Sequence, residues 1–404
     1  MLIKRIIQSK SASITLPASK SESNRALIIQ ALNSSASEIL NLSDSNDSRL
    51  MVDALNSTAS EIDIKDSGTA MRFLTAYFVA TNQVKILKGT SRMHQRPIGI
   101  LVEALRNIGA KIEYLLNDGC PPIKIQGLPK QLTNSLSIKA DVSSQFISAI
   151  LMIAPVLSHG LTLHFKGKVM SEPYINMTLA LMEMAGIKLY RNINKVSIAH
   201  QDYKEFKLQI GADWSSASYW YAISAIGNLQ IELTDLYKTS FQGDKIISDM
   251  MIPLGVQSQF TDSGIKLTPT NYQDEVTFDF SNCPDLAQTV MVVCAIKGIR
   301  GKMKGLNSLK IKETDRIWAM QNELAKIGAE LIESGEDWEL SPISIEEELH
   351  PVNIMTYDDH RMAMAFAPLC FYTDVTIDNP DVVQKSYPNF WKDLKKIGAQ
   401  IDFS

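Results

Sequence analysis

Residues 101–114 read LVEALRNIGAKIEY: an amphipathic helical run, a glycine at Gly109, then a short segment of strand character. The pattern returns as LALMEMAGIKLY around Gly186, MMIPLGVQSQF around Gly255, QNELAKIGAELI around Gly328 and WKDLKKIGAQID around Gly398. A glycine just past the last helical turn takes the left-handed conformation that ends the helix, and a strand then leads away. The five glycines stand 77, 69, 73 and 70 residues apart. A degenerate sixth copy, MVDALNSTASEIDI, aligns with the first without gaps and carries Ala59 in place of the glycine. Any α/β chain holds one or two such helix ends by chance. Five glycine-closed copies at a period near 70, plus one degenerate copy, mark a repeat architecture. The expected fold is therefore α/β (α+β), with six units arranged as two domains of three.

The bulk numbers agree with that size. At 404 residues the chain is too long for one core, and two domains are the natural prior. Apolar residues make up 45% and charged residues 21%, the composition of a soluble globular protein. A net charge of −4 argues against nucleic acid as the main partner, because a phosphate-tracking surface usually makes a domain basic. Cys120, Cys283, Cys294 and Cys370 form no CxxC pair and no zinc-spaced cluster, so no metal site is expected. Scattered thiols in apolar surroundings suggest a reducing compartment. The apolar stretch in MLIKRIIQSK is too short for a signal peptide. The longest apolar runs, Phe146–Leu157 and Met362–Tyr372, are too short to span a bilayer. A cytoplasmic protein without membrane contact is the expectation. No Pro/Ser-rich linker marks a domain boundary. A new helix signal at Ser215–Tyr219, after Gln209–Asp213, puts a break near mid-chain.

The helix starts carry the chemistry. The amino end of a helix has partial positive charge and unpaired N–H groups, so cations are disfavoured there unless an anion joins them. This chain puts cations there repeatedly. In TLPASKSESNRALIIQAL, Ser19, Lys20 and Ser21 are expected to form a turn after Pro17, with Arg25 early in the helix that follows. In KDSGTAMRFLTAYF, the small residues Ser67, Gly68 and Thr69 precede Arg72, and Gly68 lets a ligand approach the backbone. Ser143 and Ser144 stand beside Gln145 at another start. Ser171 reads as a cap with Pro173 in the first turn. Lys312 and Arg316, four apart, are expected to share a helix face. Arg96 stands before Pro97, His360 and Arg361 open an apolar helix, and Lys385 precedes the last one. Taken singly, each serine is an ordinary cap, each cation a solvated side chain and His360 a structural residue. Taken together, within an acidic chain, they make a site for phosphate and carboxylate groups.

The runs PASKSESNRA, SGTAMR, RMHQRPI, SSQF, SEPYI, KETDR and DDHRMAM resemble the motifs of the 5-enolpyruvylshikimate-3-phosphate synthases, in that family's order, from Pro17 to Lys385. The resemblance implies the two-domain enolpyruvyl transferase fold: six βαβαββ units, three per domain, joined by a hinge of two crossing strands. It implies a domain of residues 20–211, a discontinuous one of 1–19 plus 212–404, and an active site in the cleft between them. It further implies transfer of an enolpyruvyl group from phosphoenolpyruvate to shikimate 3-phosphate by a monomer that needs no cofactor. Lys20, Ser21 and Arg25 would hold shikimate 3-phosphate, Arg25 on its carboxylate. Ser143, Ser144, Ser171 and Lys312 would hold its phosphate, Tyr174 and Ser308 would also contact it, and Gln145 would lie between the substrates. Lys20, Gly68, Thr69, Arg96, Gln145, Arg316, Arg361 and Lys385 would surround phosphoenolpyruvate. Asp285 and Glu313 match the proton-transfer carboxylates, with Lys20 and Lys385 beside the chemistry. Glyphosate would occupy the phosphoenolpyruvate site. Three positions depart from the family pattern: Asp66 and Ser308 stand where many members have asparagine, and Phe73 where some have proline.

Two other readings compete with this one. The sister transferase that acts on a UDP-linked amino sugar typically carries a cysteine before the loop arginine. Here Met93-His94-Gln95 precede Arg96, and Cys120 sits in a turn-like DGCPP segment. A non-catalytic anion-binding relative would have lost its acid and base groups, yet Asp285, Glu313, Lys20 and Lys385 are present. The split of the cations between the two halves of the chain predicts that an anionic substrate draws the halves together.

Overall fold

The structure, a computed structural model, describes residues 1–141, 143–343 and 349–403. The chain divides into two compact units, one of Met1–Ala18 with Gly211–Ser404 and one of Ser19–Ile210.

Among the described residues each unit carries three sheets. Five of the six are four-stranded and share one order of parallel and antiparallel pairs. In the sheet that contains the opening repeat, Glu61–Asp63 pairs parallel with Lys85–Lys88, which pairs antiparallel with Ile123–Ile125, which pairs antiparallel with Ile112–Tyr114. In this sheet the first three strands are joined through helices and the last two form a hairpin, giving βαβαββ. The sheets built on Ser135–Lys139 with Leu161–Lys166, and on Glu275–Asp279 with Arg300–Lys304, repeat the order. The sixth sheet is two-stranded, Phe206–Gln209 alongside Ser37–Leu40. Two sheets of the discontinuous unit borrow strands from the start of the chain. Ala12–Thr15 pairs with Ile231–Thr234, and Leu2–Ile3 lies between Val375–Ile377 and Ile401–Asp402.

The five repeat glycines all take positive φ, from 81° at Gly328 to 111° at Gly109. Each follows a helix and precedes a strand, as the sequence pattern requires. The helix before Gly255 is shorter than expected, only Ile247–Met250. Pro253 cannot continue a helix, and the chain turns through 251–255 instead.

The helices inside each unit are buried around most of their circumference, polar side chains included. All ten residues of Ala287–Ile296 are buried, as are all seven of His360–Phe366 and twelve of Trp214–Gly227. In the continuous unit the corresponding helices are Lys20–Leu32, Gly68–Ala80 and Ser144–Ile153. No helix among the described residues is long and apolar enough to cross a membrane.

Candidate active site

In the unit Ser19–Ile210, three buried helices pack on one another, and the first turns of two of them meet. Ser19, not a longer turn, caps the first: its Oγ accepts from Glu22 N, so Lys20 and Ser21 are already helical. Lys20 Nζ lies 3.1 Å from Asp47 Oδ2. Ser67 caps the second helix and places Gly68 and Thr69 in its first turn. Ser143 caps the third, its Oγ accepting from Gln145 N, and Gln145 Nε2 donates to Thr69 Oγ1 at 3.1 Å. Ser144 is buried at the first helical position. Ser171 behaves differently from the expected cap. It sits at φ 54°, ψ 39°, and its hydroxyl makes no capping bond to the helix Glu172–Met184.

Three arginines are buried here. Arg25 is 3% exposed. Its Nε donates to Thr178 Oγ1 at 2.7 Å, and its Nη atoms donate to Ser21 O, Ser148 Oγ and Tyr174 O. Its guanidinium lies 5.3 Å from the centre of the Phe73 ring and 5.9 Å from that of Tyr174. Burial pulls Arg25 down to about 10. Arg72 donates to Gly68 O and Pro97 O. Arg96 Nη1 donates to the backbone oxygen of Asp66, so the departure at that position serves the arginine through its main chain. A methyl group on Gly68 would come within 2.6 to 2.8 Å of the head groups of Arg96 and Arg72.

The discontinuous unit holds a cluster of opposite charges. Arg316, 2% exposed, donates to three carboxylates: Nε to Asp359 Oδ2 at 2.6 Å, Nη1 to Asp285 Oδ1 at 3.0 Å and Nη2 to Glu313 Oε2 at 2.9 Å. Arg361 donates to Asp285 Oδ2 at 2.8 Å, to Asp285 O and to Tyr219 OH. Lys312 Nζ is 3.6 Å from Asp285 Oδ1, and Lys385 Nζ is 3.7 Å from Glu313 Oε1. Ser308 lies in the 3-10 turn Asn307–Ile311, just before Lys312. Burial pushes Asp285 up, but Arg361, Lys312 and Arg316 outweigh it and hold the carboxyl well below its usual range. Burial lowers the Lys312 ammonium.

The expected helix face shared by Lys312 and Arg316 is absent. Asp315 caps the helix Arg316–Ala325 by accepting from Ile317 N and Trp318 N, so Lys312 lies outside it. The two cations meet at Asp285 instead.

The sequence reading missed four residues of these clusters. Asp47 pairs with Lys20, and Asp359 caps Arg361 N while binding Arg316. Tyr219 bonds Arg361. Asp244, 3% exposed, accepts a very short hydrogen bond from Ser215 Oγ. Burial and then the charge of Asp285 push Asp244 up to about 6. A search for cations could not find these acids. An Asp immediately before an apolar helix, as in DDHRMAM, was the available signal for Asp359.

Such an arrangement suits anion binding and proton transfer: buried guanidinium groups and helix starts in one unit and, in the other, Asp285 held well below its usual range among cations. Comparison with known proteins points the same way. The family model described as EPSP synthase (3-phosphoshikimate 1-carboxyvinyltransferase) matches residues 4–62 and 56–394. The chain is 46% identical over 398 residues to a 3-phosphoshikimate 1-carboxyvinyltransferase of Bacteroides fragilis (strain YCH46), covering 96% of each chain. It is 34% identical over 431 residues to the protein of that name from Vibrio atlanticus (strain LGP32), covering 97% of this chain and 98% of the relative. A solved structure of EPSP synthase from Acinetobacter baumannii superposes with a TM-score of 0.78 at 18% identity, covering 100% of this chain and 99% of that one, which shows a common fold.

Proposed function

The chain belongs to the EPSP synthase family, and from that premise we propose which of its side chains carry the reaction. The enzyme transfers the enolpyruvyl group of phosphoenolpyruvate to the 5-hydroxyl of shikimate 3-phosphate and releases phosphate, a step of the shikimate pathway toward the aromatic amino acids.

Both substrates are anions, and fixed cations in a low-dielectric site offset their repulsion. Arg25 takes the carboxylate of shikimate 3-phosphate, with Lys20, Ser21, Tyr174 and Ser308 as further contacts. Ser143, Ser144, Ser171 and Lys312 take its phosphate. Arg96, Arg316, Arg361 and Lys385 hold phosphoenolpyruvate, with Gly68, Thr69 and Gln145 against it. The 5-hydroxyl oxygen attacks C2 while its proton passes to Asp285, and C3 takes a proton from Glu313. The tetrahedral intermediate then loses phosphate as the C2–O bond breaks, and C3 returns a proton to Glu313. The observation that carries this reading is the Arg316 guanidinium, which bridges Asp285 and Glu313 through its two Nη atoms. One rigid group thus sets the spacing of acid and base. Asp285 is held ionised, the state from which a proton acceptor must start.

A coupled assay of phosphate release tests the activity. Release is expected only when both substrates are present; none at saturation with both would refute it. The chain is further proposed to act as a cytoplasmic monomer. Its cysteines are free, with Cys283, Cys294 and Cys370 buried, which suits a reducing compartment. Sedimentation at micromolar concentration would reveal a dimer if that reading is wrong.

A further inference from the structure

Arg361 and Asp359 follow directly on a strained piece of backbone. Tyr357 and Asp358 both take left-handed conformations, at φ 53° and 56°, and neither is glycine. Each such residue costs roughly 1–2 kcal/mol relative to ordinary backbone, so two in succession persist only if the surroundings hold them. The surroundings do so through a carboxylate that the proposed chemistry does not use. Glu323, on the helix that begins with Arg316, is fully buried at 0% exposure. Its Oε1 accepts from Tyr357 OH at 2.6 Å, and its Oε2 accepts from Met355 N at 3.1 Å and Lys326 Nζ at 2.7 Å. The Tyr357 ring packs edge-on against Trp318, centres 5.2 Å apart. From the other side Asp378 accepts from Thr356 N at 2.7 Å, and Asn379 Nδ2 donates to Asp358 Oδ1 at 3.0 Å. The turn then delivers Asp359 N to Thr356 O, Asp359 Oδ1 to Arg361 N and Asp359 Oδ2 to Arg316.

We propose that Glu323 is a positioning residue: by anchoring Tyr357 it holds the left-handed pair Tyr357–Asp358 and thereby sets Arg361 and Asp359 against Asp285 and Arg316. The inference rests on the reading above that Arg361 holds phosphoenolpyruvate. The anchor and the strain it offsets sit on opposite sides of the same turn. The helix that supplies Arg316 also supplies Glu323 two turns later, so one element fixes both arginines of the site.

The test uses steady-state kinetics on the full-length enzyme. Tyr357→Phe keeps the packing on Trp318 and removes the bond to Glu323. It should raise KM for phosphoenolpyruvate about tenfold, the scale of one lost hydrogen bond to a charged group, and leave KM for shikimate 3-phosphate within about twofold. It should also shift the acid limb of the kcat profile upward, since Arg361 is the strongest of the charges that depress Asp285. Glu323→Gln retains an acceptor and should fall between the two. Asp358→Gly added to Tyr357→Phe should restore much of the loss, because glycine takes the left-handed conformation without strain. A thermal midpoint that falls with KM unchanged, or a loss that Asp358→Gly does not relieve, would overturn the proposal. Arg361→Lys separates the two readings: if its KM for phosphoenolpyruvate is unchanged, the role of Arg361 fails, whereas a raised value beside a normal Tyr357→Phe enzyme removes only the role of Glu323.

Discussion

A guanidinium offers five N–H donors in a rigid fork, and Arg316 spends three of its nitrogens on three different carboxylates. Removing one partner from such a buried network typically costs about 3–5 kcal/mol, because the remaining charges are left uncompensated. Catalytic tests should therefore keep shape. Asp285→Asn should lower kcat roughly a hundredfold or more, the scale of a lost general base, with a modest change in KM. Near-normal turnover in that variant would remove Asp285 from its role. Gly68 answers to a different constraint. A methyl there meets the ends of Arg72 and Arg96, flexible groups that can move but are placed to hold an anion. Gly68→Ala should raise KM for phosphoenolpyruvate and raise the inhibition constant of glyphosate, a longer anion, by a larger factor. Equal factors in the two measurements would show that position 68 does not discriminate by length. At this scale the residue types were legible and their partners were not. Spacing put Lys312 and Arg316 on one helix face, but Asp315 starts the helix too late for that. The acids Asp47, Asp244 and Asp359 escaped because burial, not composition, makes them partners.

Helix ends were the most legible elements, because a positive φ after a helix has few solutions other than glycine. Gly109 is the strictest case. Its φ of 111° lies outside the region that asparagine would tolerate, and a Cβ there would sit 2.2 Å from Lys130 O, a backbone atom that cannot step aside. Gly109→Ala should therefore destabilise the protein by roughly 1–3 kcal/mol, the usual cost of strained backbone. Urea unfolding measures it, and an unchanged midpoint would mean that the loop 127–132 yields freely. Helix lengths were less legible. The methionine-rich run before Gly255 has helical spacing, yet Pro253 cuts it to four residues. Ser171 looked like a cap by residue type, but its own left-handed backbone turns the hydroxyl from the helix amides.

Across the whole molecule four of the five glycine-closed copies turn into a hairpin, while Gly398 leads into Ile401–Asp402, which pairs with Leu2–Ile3. What repetition could not foretell is that the degenerate copy builds no sheet of its own: its strand Glu61–Asp63 joins the sheet of the Gly109 copy, and Phe206–Gln209 pairs with Ser37–Leu40 as a separate two-stranded sheet. Both units hide tyrosines in their interiors. Burial pushes the phenols of Tyr203, Tyr219, Tyr221 and Tyr387 far above their ordinary range. In the unfolded chain these groups ionise near pH 10. A raised folded value gives stability that is complete below that pH and is lost as pH climbs toward the folded value. Stability should fall from about pH 10 upward, with the phenolate absorbance of these four appearing only as the fold is lost. Smooth ionisation of all twelve tyrosines near pH 10 with unchanged circular dichroism would contradict this. The strand Leu2–Ile3, wedged between Val375–Ile377 and Ile401–Asp402, carries a further consequence for how the protein is made. A ribosome delivers Leu2–Ile3 long before the strands on either side of it, and Ala12–Thr15 well before Ile231–Thr234. Ser19–Ile210, by contrast, emerges as one uninterrupted stretch with its sheet partners already at hand. During translation the leading segment must wait as an unpaired edge while the middle of the polypeptide matures behind it. A nascent chain stopped after Ile210 should resist protease from Ser19 onward and be trimmed ahead of it.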